Sequence, residues 1–503
     1  MRLNRSAATR CSLANGRFNL PAWRVADAQK IPLVVDLDGT LLRTDTLWES
    51  LAILLRREPP AILKVVFWQL RGRAFLKQKL AASTRINPAS LPYNKEFLAW
   101  LRAEKQNGRK LILATVADLK VAQAVADHTG LFDEVLASDG KTNLHGQNKL
   151  RVLVQKFGER GFDYAGNSAA DFAVWRGARA AVVVNATPGV EKKAADCARI
   201  DRVFEPATPP FRPFFRCLRP HQWAKNLIIF VPIIAGHKMT DPTTLLNGFF
   251  AFVVFCVCAS GVYVVNDLMD LDDDRDHPTK RRRPLASGDL PLAAGLVAGP
   301  LLLAAGLLAA VELSWLFAGV VALYLVLTTA YSWRIKRVVL LDVFFLAGLY
   351  TIRLVAGHAT TGIIYSAWLL MFSMFIFLSL ALVKRYVELA AAKEVSPENA
   401  RVGGRGYEQG DLELVTSLGT GSGFIAALVM ALYVDSQQVV VLYAHPKLLL
   451  LACPLLLYWI SRIWLLAHRR QLHEDPVLFA IKDVVSYVIG ALVLGVLWLA
   501  SGH

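Results

Sequence analysis

From about residue 222 onward the chain is a succession of apolar segments, each roughly 20 residues long, nearly free of charge, and long enough to cross a bilayer. About nine can be counted, near 222–239, 245–269, 292–313, 314–333, 338–358, 365–390, 412–434, 446–467 and 478–501. They account for a hydrophobic content of 54% over 503 residues, too apolar for a chain soluble throughout and too long for one ordinary domain. The pattern predicts an all-α polytopic membrane bundle, preceded by a separate soluble portion.

Lysines and arginines alternate from loop to loop. Arg275, Lys280, Arg281, Arg282 and Arg283 follow the second span, and Arg334, Lys336 and Arg337 follow the fourth. Lys384, Arg385, Lys393, Arg401 and Arg405 cluster at the end of the sixth, and Arg469 and Arg470 follow the eighth; the other loops hold little beyond Lys238 and Lys447. Because basic loops stay inside, the N-terminal part and these loops are expected on the cytoplasmic face of a bacterial-type inner or plasma membrane, with the C-terminus outside. Topology and anionic headgroups explain the net charge of +16, so nucleic acid is not an expected partner. The six cysteines form no CxxC pair, which supports neither a disulfide framework nor a zinc site. Residues 1–30 carry six basic residues against Asp27 and lack the apolar core of a secretory signal, so they read as a disordered basic tail.

An acidic run, Asn266 to Pro278, stands at the mouth of the second span. Asn266, Asp270 and Asp274 recur every four residues and Asp267 falls three before Asp270, so all four can share one helix side. Carboxylates where a membrane segment meets water are costly unless something cationic binds them, and hard oxygen ligands suit magnesium.

In the soluble part, residues 31–42 read as a short buried strand delivering Asp36 and Asp38 into a turn, at the edge where open α/β sheets bind ligands. Of such a pair, one acid can attack phosphorus while the other shuttles a proton. Asp36-Leu37-Asp38-Gly39-Thr40, the strand ending in Thr115, Asn148-Lys149, and Gly166-Asn167-Ser168-Ala169-Ala170-Asp171 follow in order. Together they resemble the four motifs of the haloacid dehalogenase (HAD) phosphatases over about residues 31–205. The resemblance implies an α/β Rossmannoid domain with Asp36 as nucleophile, Asp38 as acid/base, and Thr115 and Lys149 as phosphate clamp. It further implies a magnesium site drawn from Asp36, Asp38, Asn167 and Asp171. Asn167 stands where the family often has Asp, which removes a negative charge. Residues between Asp45 and Trp100 have helical spacing and look like a small cap, in which Phe67, Trp68 and Phe75 are expected to pack, the alternative being that they rest on lipid. Prolines at 206, 209, 210 and 213 mark a linker over 206–213.

The remainder, 214–503, opens with Arg219-Pro220-His221-Gln222-Trp223-Ala224-Lys225-Asn226 and continues with Asn266 to Gly288, Tyr331-Ser332, Lys336, Asp342, Tyr350, Arg353, Gly357, Lys384-Arg385-Tyr386 and Glu388. These features resemble the UbiA superfamily of intramembrane prenyltransferases, and within it the polyprenyl-phosphate (decaprenyl-phosphate) phosphoribosyltransferase branch. Ordinary members carry a second DxxxD motif, whereas Asp342 is followed four residues later by Leu346. Arg353 lies eleven residues after Asp342 on the same helical face, so this chain trades an acid for a base.

The resemblance implies an enzyme that moves 5-phosphoribose from phosphoribosyl pyrophosphate to a polyprenyl phosphate, with magnesium on Asp267, Asp270 and Asp274 assisting pyrophosphate departure. Lys336, Arg353, Lys384 and Arg385 are the candidate phosphate grips. Lys225, Asn226, Asn266, Arg275, Lys280, Tyr331, Asp342, Tyr350 and Glu388 complete the expected substrate-binding set. Glu388 is either a neighbour's partner or a metal ligand. Arg405 and Tyr407 belong to a glycine-rich loop that is either a lid or ordinary surface. The product would carry a 5-phosphate of the kind a HAD domain removes, which points to consecutive steps. The alternatives are a conventional transferase using a prenyl diphosphate and an aromatic acceptor with a non-catalytic HAD module, and a lipid carrier. Lipid length and oligomeric state are not encoded in any of these motifs.

Overall fold

Leu33, Val34 and Val35 are fully buried and make a three-residue strand, β1. In the computed structural model, which describes residues 31–138, 144–205, 211–363, 365–395, 405–436, 439, 442–472 and 475–502, five further strands join it. They are β2 (Leu111–Asp118), β3 (Glu134–Ser138), β4 (Asp163–Gly166), β5 (Ala180–Val184) and β6 (Arg199–Phe204). All neighbouring strands are parallel, in the order β3-β2-β1-β4-β5-β6. The expected basic tail and linker residues 206–210 lie outside the described residues.

β1 is flanked by β2 and β4, with Leu33 opposite both Leu111 and Asp163. Side chains alternate across the strand: Leu33 and Val35 enter one apolar cluster with Leu113 and Phe97, while Val34 enters another with Ile112 and Trp175. Burial on both faces is why β1 and β5 are apolar without interruption. The order reverses at β1, so its C-terminal end is the switch point where such sheets leave a ligand crevice. The expectation of an open parallel α/β sheet over residues 31–205 is met by this order.

Three helices follow the first motif: α1 (Thr46–Arg57), α2 (Ala61–Leu70) and α3 (Arg73–Ser83). They bury Leu54, Ala61, Val65, Leu76 and Leu80 together, with Trp68 packed against them, and so form the expected cap with a core of its own. Phe67 departs from expectation. It is 52% exposed, on the side of α2 opposite Ala61 and Val65. Helix α4 (Gln147–Phe157) carries Lys149 back to the sheet.

The chain divides into two compact units, Met1–Pro209 with Ser287–Leu292, and Pro210–Ala286 with Ala293–His503. The second contains, among the described residues, eight helices long and apolar enough to cross a membrane. They are α5 (Pro242–Met269), α6 (Leu292–Leu313), α7 (Trp315–Trp333), α8 (Leu341–Thr361), α9 (Ala367–Val395), α10 (Leu412–Tyr433), α11 (Ala452–His468) and α12 (Val484–Ser501).

The expected first span, 222–239, is folded differently, as a 3-10 helix over Pro220–Phe230 followed by a short α-helix over Val231–Ala235. Pro220 and Pro232 lack the backbone donor that a continuous α-helical ladder needs, and Gly236 ends the run. This segment lies tight against α8: a Cβ on Gly357 would stand 2.3 Å from the carbonyl oxygen of Ile229, so only glycine permits the approach.

Candidate active sites

In the α/β unit, Asp36 sits at the C-terminal end of β1, where its backbone N–H donates to the Ala165 carbonyl on β4 (3.0 Å). Its carboxylate accepts from Lys149 Nζ at 2.7 Å, and Lys149 also reaches the Tyr164 hydroxyl at 2.9 Å. Tyr164 donates in turn to Asp171 Oδ1 at 2.8 Å. The other Asp171 oxygen accepts from the backbone of Asn167 and Ser168, both at 3.0 Å. One continuous polar chain thus links the first motif, the lysine and the fourth motif. Tyr164 was not singled out in the sequence, because an apolar-looking strand position gives no hint that its hydroxyl faces a carboxylate.

Asp38 belongs to the adjoining turn, where Thr46 N–H donates to it at 2.8 Å. Gly39 has φ +76°, and a Cβ there would stand 2.1 Å from Asn167 Nδ2, so the turn and the fourth motif close on each other. Thr115 is buried on β2, and its Oγ1 accepts from Ala117 N–H at 3.0 Å. Burial pushes Asp36 up to about 6; Lys149 opposes this and Asp171 adds to it. Burial, reinforced by Asp45, pushes Asp38 up to about 8.

In the membrane unit, α5 ends at Met269, and Asp270 stands between it and a short helix over Leu271–Asp276: Asp270 N–H donates to Asn266 O (2.9 Å) and Asp274 N–H to Asp270 O (2.8 Å). Asp267 and Asp274 nonetheless meet at one guanidinium, Arg283 Nη1 joining them at 3.1 and 2.6 Å. Arg219 also pairs with Asp267, and Lys336 lies 3.5 Å from Asp270. Arg275 instead donates to the Ala286 carbonyl at 3.2 Å, and Lys280 occupies an exposed turn. In the sequence Arg219 and Arg283 stand out only as motif and topology residues; their place as bridges comes from the fold, which brings both to Asp267.

A second polar cluster surrounds Asp475. Lys225 Nζ and Lys384 Nζ approach the same oxygen at 2.9 and 3.1 Å, and the Tyr350 hydroxyl donates to the other at 3.4 Å. Burial alone would raise the Asp475 pKa, but Lys384 and Lys225 hold it well below the usual carboxylate range. Arg353, buried in α8, donates to Asn226 Oδ1 at 2.8 Å and to the Leu349 carbonyl, and lies 5.2 and 5.6 Å over the rings of Tyr324 and Tyr350. The Arg219 guanidinium lies 5.1 Å from the ring of Tyr263, on α5. The opening segment is pinned by Trp223, whose Nε1 donates to Ser260 Oγ at 3.0 Å.

Arg385 and Asp342 form a third group. Both are fully buried and pair at 2.6 Å, with Tyr407 donating to Asp342 at 2.6 Å and Arg385 reaching Tyr331 and Glu388. Arg405 joins Glu388 at 3.6 Å. Glu388 is thus a neighbour's partner, and the Arg385 donors are spent inside the bundle, so among the four candidate grips only Lys336, Arg353 and Lys384 adjoin the other two clusters.

Among the described residues no three His, Cys, Asp or Glu side chains already form a metal cage. The donor chemistry fits a hard divalent ion nonetheless. Asp36 and Asp38 offer desolvated carboxylate oxygens beside the Asn167 amide, and Asp267, Asp270 and Asp274 offer carboxylates now neutralised by basic side chains.

Comparison with known proteins adds the following. The model of the UbiA prenyltransferase family matches residues 227–485. The chain is 39% identical to the uncharacterised protein y4nM of Sinorhizobium fredii, over 92% of this chain and 90% of that one. It is 36% identical to the decaprenyl-phosphate phosphoribosyltransferase of Corynebacterium glutamicum, over 35% of this chain and 54% of that enzyme. The structure of apo phosphoserine phosphatase aligns over 37% of this chain and 98% of its own, at 16% identity and a TM-score of 0.26. With the eight long apolar helices among the described residues, the family match marks an integral membrane protein.

Proposed function

The chain belongs to the UbiA prenyltransferase family, and on that premise we propose that its membrane unit transfers 5-phosphoribose from phosphoribosyl pyrophosphate to a polyprenyl phosphate. An oxygen of the lipid phosphate bonds to ribose C1 as the C1–O bond to pyrophosphate breaks. Magnesium bound among Asp267, Asp270 and Asp274 would neutralise charge on the departing pyrophosphate. The observation that carries the reading is the cationic cluster of Lys225, Lys384 and Arg353 beside Tyr350, set apart from the acidic run. A prenyl diphosphate has one anionic end, whereas phosphoribosyl pyrophosphate has two. The acids suit the metal-bridged pyrophosphate and the bases suit the 5-phosphate. Likeness to the Corynebacterium decaprenyl-phosphate phosphoribosyltransferase supports transfer of a phosphoribosyl group to a polyprenyl phosphate.

For the soluble unit the proposal is removal of the 5-phosphate from the transferase product. Asp36 would attack phosphorus to form a phosphoaspartate as the P–O bond to ribose breaks; Asp38, desolvated enough to stay protonated near neutrality, would give its proton to the leaving ribosyl oxygen and then take one from the water that hydrolyses the phosphoaspartate to inorganic phosphate. Lys149 holds Asp36 in place and offers its ammonium to the phosphate, and Asp171 with Asn167 would help hold magnesium. Both sites act from the cytoplasmic side in this scheme.

The test is mass spectrometry of lipids formed by the full chain from polyprenyl phosphate, phosphoribosyl pyrophosphate and magnesium, beside a parallel reaction with prenyl diphosphate and an aromatic acceptor. A polyprenyl-phosphoryl ribose supports the proposal. Prenylated aromatic product with no ribosylated lipid refutes it.

A further inference from the structure

The cap of the α/β unit has one face that its own core does not use. In α2, Ala61 and Val65 are buried and Trp68 leans on the same core, while Ile62, Leu63, Val66, Phe67 and Leu70 form a stripe on the other side. The stripe is well exposed, Leu63 to 75% and Leu70 to 81%. Leaving five large apolar side chains in water on a ten-residue helix is unfavourable unless something covers them.

The surroundings are basic. Residues 46–85 carry eight Lys or Arg against two acids, one of which, Glu49, is buried. Arg57, Lys64, Arg71, Lys79 and Arg85 are exposed; Lys64 meets Glu58 at 2.9 Å, and the Arg71 guanidinium stacks 4.7 Å over the Phe67 ring. An apolar stripe rimmed by cations is the composition of a helix that lies in a bilayer interface, with its aromatic ring at headgroup depth. A domain joined in one chain to eight membrane-crossing helices also meets a bilayer at high effective concentration.

We propose that α2 is a membrane-docking helix, which seats Leu63, Phe67 and Leu70 in the acyl boundary of an anionic phospholipid bilayer while the cap's basic residues contact the headgroups. Charge separates this occupant from the others available. A second copy would present the same basic rim, and residues 1–30, with six basic residues against one acid, would be repelled by it as well. Docking of this kind restrains the cap, and with it the mouth of the crevice at β1, against the membrane from which a lipid phosphate ester would come.

The test uses the full chain reconstituted in phosphatidylcholine vesicles with and without phosphatidylglycerol. The photo-crosslinking residue p-benzoylphenylalanine replaces Phe67 or, as reference, the exposed Gln123. After illumination, a phospholipid adduct at position 67 that rises with phosphatidylglycerol and stays at background at position 123 is the expected result. Leu63→Asp with Leu70→Asp abolishes the adduct, and Arg57→Glu with Lys79→Glu, which leaves the stripe intact, removes its dependence on phosphatidylglycerol. Crosslinks from position 67 only to a second copy or to residues 1–30, or equal lipid adducts at 67 and 123, overturn the proposal.

Discussion

Lys225 Nζ lies 2.9 Å from Asp475 although 250 residues separate them in the chain. Asp475 caps the short helix Pro476–Ala480 by accepting from Val477 N–H, which anchors its carboxylate at that helix's N-terminus. Lys384 then shares the same oxygen. One carboxylate therefore holds two ammonium groups close together, an arrangement that neither lysine would keep alone.

Replacing Asp475 by Asn leaves those two ammoniums facing each other without a counter-charge. Loss of one partner from a largely buried pair costs roughly 3–5 kcal/mol, so thermal unfolding of the detergent-solubilised chain should shift clearly downward. An unchanged melting profile would mean that Asp475 does not organise this cluster.

Chelation of divalent metal should stop ribosyl transfer, with magnesium restoring it. Asp267→Asn and Asp274→Asn should each lower kcat by about 10²-fold or more, the scale of losing a principal electrostatic contact to a developing charge. Turnover of labelled phosphoribosyl pyrophosphate reads both effects. Full activity in chelator would remove the metal from the scheme.

Asp36→Asn should leave transfer intact and block dephosphorylation, since Asp36 belongs to the polar chain of the α/β unit. Mass spectrometry should then find the ribosylated lipid still carrying its 5-phosphate. Identical product from parent and variant would argue for a non-catalytic soluble unit.

The fully buried Arg385–Asp342 pair predicts a different pattern. Arg385→Met strands the Asp342 carboxylate and should destabilise the bundle by about 3–5 kcal/mol. Adding Asp342→Leu should recover much of that stability, because apolar replacement of a whole buried pair is often tolerated. If the double variant melts like the parent yet transfers no ribose, Arg385 has a role at the substrate beyond packing.

The spacing of both acidic motifs is legible in the sequence because it is local. Asp36 and Asp38 are two residues apart at a strand end, and Asn266, Asp267, Asp270 and Asp274 keep helical spacing through the break at Met269. Partnerships between distant side chains were not legible. Arg385 reads like Lys384, since both stand at a span end where topology already favours positive charge. One nevertheless turns into the bundle toward Asp342 and the other toward Asp475.

Hydrophobic length, taken from the sequence alone, determined that the chain crosses a membrane repeatedly, because crossing needs only enough consecutive apolar residues. Tertiary structure alone decided that the opening segment is a 3-10 helix wedged against Gly357, that Tyr164 joins Lys149 to Asp171, and that Asp475 gathers Lys225 and Lys384. The reason is physical: a buried charge takes whichever partner helix packing brings within hydrogen-bond range, and no local period in the sequence records that choice.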